Sequence, residues 1–149
     1  MMMVITVLSG LVLITALIQL ARIDWATHRL PNIITLPLIA AGLLWAFGTA
    51  EDFYPHLLGA ALGYGVFWAV EVLYRLIRKR DGLGRGDAKL LAAGGAWCGA
   101  WALPAIVLIA SVSALIYILP KGEQRDTRIP FGPFLAIGIG AVWLVQAIL

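Results

Sequence analysis

Long apolar stretches alternate with short polar breaks along this chain. Five of them, at about residues 1–23, 33–50, 53–77, 103–119 and 131–149, have the roughly 17–25 residues that a helical membrane span needs. The stretch 90–119 is too long for one span and too short for two full ones. Pro104 offers a break, because a proline disfavours helix at the residue before it. We therefore expect a short fourth segment at about 90–99, ahead of the fifth at about 103–119. The pattern predicts an all-α, polytopic membrane protein: a bundle of about six transmembrane segments, the fourth too short to cross unaided. A chain of 149 residues suggests one domain, and we expect 1–149 to form a single membrane-embedded unit.

Composition excludes an ordinary soluble domain. The chain is 62% hydrophobic and 13% charged, far from the usual soluble balance. A net charge of +3 does not point to nucleic acid here, because the cations cluster beside the apolar segments. Arg22 and Arg29 flank the first loop. Arg75, Arg78, Lys79, Arg80, Arg85 and Lys89 surround the third, and Lys121, Arg125 and Arg128 lie in the fifth. With six segments every cation falls on one face, which the positive-inside rule assigns to the cytoplasm. With five segments the last three would lie outside. The expected topology thus has both termini outward, in a cytoplasmic membrane. The chain is apolar from Met1 with no basic stretch before it, which favours a retained first span over a cleaved signal peptide. Cys98 is alone, so it forms no disulfide within the chain and reads as a packing residue.

Eight acids remain to be placed. Glu51, Asp52, Asp81, Glu123 and Asp126 read as loop charges, and Glu71 as the partner of Arg75 one helical turn on. Asp24 closes the first apolar run. Asp87 follows the glycine-rich stretch 82–86 and precedes the fourth segment. An even number of segments separates Asp24 in the first loop from Asp87 at the end of the third, so they share the cytoplasmic face. The glycine stretch lacks the Gly-Lys-Ser/Thr of a phosphate loop. Two carboxylates brought close share one proton. One then activates a water while the other donates to the scissile bond. Such a pair requires no metal, cofactor or covalent intermediate. His28 and His56 fall on opposite faces; His28, which could assist near Asp24, reads as an interfacial residue. A helix N-terminus and Lys89 would favour the ionised form of Asp87, leaving the proton on Asp24.

The run GLGRGDAKLLAAGGAWCG at 82–99 resembles the signature of type IV prepilin leader peptidases. Its core, Gly84-Arg85-Gly86-Asp87, matches the GxGD pattern that these share with presenilin-type intramembrane peptidases. IDWATHRLPNIITLPL at 23–38 resembles the family's first aspartate region, and IPFGPFLA at 129–136 the start of its last span. The resemblance implies an aspartic endopeptidase with Asp24 and Asp87 as the catalytic pair. It places Gly84, Gly86 and Lys89 in the supporting loop. It implies substrates with a short basic leader before a hydrophobic helix, the type IV prepilins or pseudopilins of pilus and protein-secretion machines. Longer members carry a cytoplasmic extension with paired cysteines, associated with methylation. With Cys98 alone, this chain is expected to have peptidase but no methyltransferase activity.

The remaining features read as structure. GxxxG spacings at Gly59–Gly63 and Gly95–Gly99 suit close helix packing. Trp25, Trp45, Trp97 and Trp101 lie near expected segment ends and read as interfacial anchors. Pro130 and Pro133 suit the start of the sixth segment. The cations of the third loop would repel a basic leader and are expected to contact anionic lipid instead. Two functions of other classes compete: a transporter or proton relay, and a non-catalytic assembly subunit. A transporter would carry an ion-dependent flux, and a subunit would work without either carboxyl.

Overall fold

The computed structural model describes residues 1–49, 52–78, 84–121 and 129–149. Glu51, Lys79, Arg80, Asp81, Gly82, Leu83, Glu123, Arg125, Asp126 and Arg128 lie outside the described residues, as do the side chains of Arg78 and Lys121. Among the described residues there are six α-helices and no strand: α1 (Met2–Thr27), α2 (Asn32–Thr49), α3 (Tyr54–Arg78), α4 (Arg85–Cys98), α5 (Leu103–Ile118) and α6 (Gly132–Ile148). The expected all-α bundle with a short fourth segment is what forms. Four stretches, Met3–Thr27, Asn32–Thr49, Tyr54–Ile77 and Ala100–Ile118, are long and apolar enough to cross a membrane. Their outward faces carry large apolar side chains such as Leu8, Leu44, Phe47, Leu108 and Ile116, all exposed. So much apolar surface suits contact with lipid. The protein is a multi-pass membrane protein.

Helix α4 inverts that pattern. With 14 residues it is about 21 Å long, against about 30 Å of hydrocarbon. From Leu90 to Cys98 every residue is buried. It lies inside the bundle, packed chiefly on α3, α2 and α6. Small residues make this possible. A Cβ added to Gly59 on α3 would stand 2.5 Å from the Gly95 carbonyl oxygen, and one added to Gly63 would stand 2.6 Å from that of Leu91. The backbones of α3 and α4 thus meet at two points four residues apart on each helix, running antiparallel. The spacing expected to pack helices does so. We expect Gly59→Leu to cost about 3 kcal/mol or more, the upper end for overpacking, because the obstructing atoms are backbone. Thermal unfolding of purified protein in detergent checks this.

The break between the fourth and fifth segments falls where Pro104 placed it. Gly99 ends α4 at φ +85°, a backbone region that L side chains rarely adopt. A single 3₁₀ turn, Ala100–Ala102, follows, and Pro104 sits in the first turn of α5.

Two expectations change. Trp97 is core, not an interfacial anchor: it is 3% exposed. Its Nε1–H donates to the Leu38 carbonyl at 2.9 Å. Trp45 stacks on it with centroids 6.5 Å apart. Gly42 leaves the space that the indole fills. Trp25 and Trp101 are exposed, as anchors would be. Helix α1 also runs four residues past its expected end. His28 stops it in a left-handed conformation, φ 54°, with its N–H donated to the Asp24 carbonyl at 2.8 Å.

Candidate active site

Extending α1 moves Asp24 from the expected loop into the last turn of the helix. The side chain then points into the bundle, where the residue is 5% exposed. Its Oδ2 accepts the N–H of Gly132 at 3.0 Å, from the first residue of α6. A Cβ on Gly132 would collide with this carboxylate. Sequence reading singled out the prolines on either side of Gly132 and missed the glycine itself.

Asp87 comes from the first turn of α4. Helix α4 starts at Arg85, earlier than expected, with Gly84 as its N-cap. The Asp87 N–H closes the first turn on the Gly84 carbonyl at 3.0 Å. Its carboxylate, at the third helical position, reaches back to the Gly84 backbone N–H, one half of a capping box. Asp87 is 8% exposed and stands ahead of Leu90, outside the apolar part of α4. Burial first, and then the Asp24 carboxylate, push its pKa up to about 7, against the opposing pull of the Gly84 N–H. Two like charges in a poorly solvated site cannot both ionise cheaply. This reverses the expectation that Asp87 is the ionised partner. The helix N-terminus is present, but burial and the second acid outweigh it. Nor does Lys89 neutralise Asp87. Side chains two apart on a helix do not face each other, and the Lys89 ammonium donates to Asn32 Oδ1 at the start of α2.

Both aspartates line one cavity of about 790 Å³. Its wall takes residues from four helices, α1, α3, α4 and α5, among them Phe67 and Glu71 of α3 and Ser111 of α5, with Pro130 and Phe131 ahead of α6. His28, Arg29, Arg75, Arg85 and Lys89 line it too. The described cations of the first and third loops therefore gather at the aspartates' end of the bundle. His56 lies elsewhere, with Nδ1 3.0 Å from the Ala96 carbonyl at the far end of α4. Among the described residues no group of three His, Cys, Asp or Glu side chains is arranged to hold a metal.

The supporting glycines differ. A Cβ on Gly86 would come within 2.8 Å of Leu30 Cβ, so this position needs its glycine to pack the first turn of α4 under the α1–α2 connection. Gly84 has φ −75°, open to any residue, and a Cβ there would lie 3.9 Å from Asp87 Oδ2, an ordinary contact. Glu71 is the other surprise. It pairs with Arg75 as expected, yet it is buried and belongs to the cavity wall. A local i, i+4 spacing revealed the pair and not the burial.

The family model for type IV leader peptidases matches residues 11–119. The chain belongs to that family. Among curated members, the prepilin leader peptidase/N-methyltransferase of Xanthomonas campestris pv. campestris is 43% identical over 145 residues, covering 92% of this chain and 48% of the relative. That of Dichelobacter nodosus is 44% identical, covering 91% of this chain and 46% of the relative. The Escherichia coli K12 protein of the same name is 45% identical, covering 81% of this chain and 56% of the relative. The chain thus spans about half the length of the leader peptidases it matches. No solved structure matches it.

Proposed function

We propose that this chain is an aspartic endopeptidase that removes the leader of type IV prepilins or pseudopilins, with Asp24 and Asp87 as its catalytic pair. The observation that carries the reading is the meeting of two buried carboxylates, from α1 and α4, in one cavity. Residues 1–149 act as one membrane-embedded catalytic domain. The cations around the cavity support a cytoplasmic placement of that end, with both termini outward. Anionic lipids meet the same basic rim.

In the working state the pair holds one proton. Asp87, raised by burial and its neighbour, keeps it. Asp24, fixed by the Gly132 N–H, takes a proton from the attacking water. Asp87 donates to the scissile carbonyl oxygen as the tetrahedral gem-diol forms; Asp24 then passes the water's proton to the leaving amine as the C–N bond breaks, and Asp87 takes a proton back from a diol hydroxyl, which restores the singly protonated pair.

The test is cleavage of a cognate prepilin by the membrane-reconstituted protein, with the product's mass followed across pH. Leader removal is expected, with a bell-shaped rate profile. Below the lower transition both acids are protonated and no base remains. Above the upper one, near 7, Asp87 ionises and no acid remains. Failure to process a verified cognate prepilin overturns the functional reading. A rate that stays flat across both transitions overturns the shared proton.

A further inference from the structure

The two cations that flank Asp87 in sequence are tied to two other helices. Arg85 Nε lies 3.9 Å from Glu71 Oε1 on α3. Lys89 Nζ donates to Asn32 Oδ1 at the first residue of α2. Arg85 and Lys89 are four apart, so they share one face of α4. Asp87 lies two residues from each, about 200° around the helix. Ties on the Arg85–Lys89 face therefore fix which way Asp87 points.

The backbone contacts leave this end of α4 in need of such a fastening. Gly59 meets Gly95 and Gly63 meets Leu91, so the α3–α4 seam is tight from the middle of α4 to its far end. Continued in the same antiparallel register, it brings Glu71 level with the turn that opens α4, beyond the last glycine contact. Glu71 is a buried carboxylate, costly to desolvate without cations, and it finds them in Arg75 of its own helix and Arg85 of α4. Around the cavity the other described charged or titratable groups are Asp24, His28 and Arg29.

We propose that Glu71 and Asn32 are positioning residues: through Arg85 and Lys89 they set the rotation of α4's first turn and so aim Asp87 at Asp24. The inference rests on the peptidase reading above and extends it to two residues outside the acid pair. Each tie acts as a unit.

The experiment is a pair of mutant cycles, Glu71→Gln with Arg85→Gln and Asn32→Leu with Lys89→Gln, measured as prepilin cleavage at matched membrane levels. Each single change should lower kcat about tenfold with KM unchanged, as expected when a catalytic group is slightly misplaced. Within a tie the double variant should fall no further than the worse single, because the partner is already released. Across ties the losses should multiply. Arg85→Lys should restore most of the rate lost in Arg85→Gln. Wild-type rates in the single variants, or multiplied losses within a tie, overturn the inference.

A second arm needs no activity. Spin labels on cysteines placed at the exposed Ile77 and Gly84, in a Cys98→Ala background, report the distance from α3 to the start of α4. A narrow distribution that broadens in both Glu71→Gln and Arg85→Gln supports the tie, and an unchanged one overturns it. If the labels behave as expected while the wild type cleaves no prepilin, the peptidase reading fails and the tie stands.

Discussion

Asp24→Asn and Asp87→Asn will each stop leader removal while leaving the protein folded in the membrane. Asparagine matches aspartate in shape but neither takes a proton from water nor gives one at neutral pH. Removing one member of an acid–base pair is expected to cost about 10²–10⁴-fold in kcat. Because the two act as one unit, the double variant should be no slower than the worse single. Folding should survive for different reasons at the two positions. At Asp24 the amide oxygen of asparagine can still accept the Gly132 N–H. At Asp87 the change relieves one of two crowded acids, whose pKa is already pushed up to about 7 by burial and by Asp24. Asp87→Asn should therefore be neutral or mildly stabilising to heat above pH 7. There the native protein ionises a carboxyl that folding prefers to keep neutral. The readouts are cleavage at matched membrane levels and melting in detergent. Cleavage at the wild-type rate by either variant would remove that residue from the mechanism.

The sequence makes the fold legible because a membrane imposes lengths. Each long apolar run has one form open to it, a helix that satisfies its own backbone, and the positions of the cations then set the parity. The two runs between Asp24 and Asp87, at about 33–50 and 53–77, are enough by themselves to bring the acids to one face. What the sequence hides is where one helix touches another. Trp97 and Trp25 both lie near expected segment ends, yet one is core and the other surface, because Gly42 on a different helix leaves a slot for the first. Gly132 lies 108 residues from the aspartate it holds, and no local spacing connects them. Glu71 showed its i, i+4 partner, which is local, and concealed its burial and its reach to α4, which are not. The protonation preference within the pair went wrong for the same reason. The helix N-terminus is local and was seen, while desolvation by the surrounding helices was not.

Gly132→Ala should be the most damaging conservative change outside the two acids. Its N–H and the missing side chain face the same carboxylate. The N–H binds Asp24 Oδ2 at 3.0 Å, and an added Cβ would collide with that oxygen and crowd Cγ at 2.9 Å. Helix α6 cannot simply retreat. One turn and a half further along, a Cβ on Gly138 would already stand 2.5 Å from the Ile106 carbonyl oxygen on α5, so backbone holds it there. The carboxylate must therefore swing, and it loses its fixed hydrogen bond as it does. Displacing a reacting group by about 1 Å can cost roughly 10²-fold, and we expect a fall in kcat of that order with KM little changed. Gly84→Ala supplies the contrast, since that glycine also adjoins a catalytic acid in the proposed pair. Its added Cβ would sit 3.9 Å from Asp87 Oδ2 at an unstrained φ of −75°, and the rate should stay within about twofold of wild type. Two glycine-to-alanine changes, each beside one aspartate, thus separate by nearly two orders of magnitude if Gly132 holds Asp24 in place. Equal rates for the pair, with both proteins present at wild-type levels, would show that the Gly132 contact does not govern where Asp24 stands during catalysis.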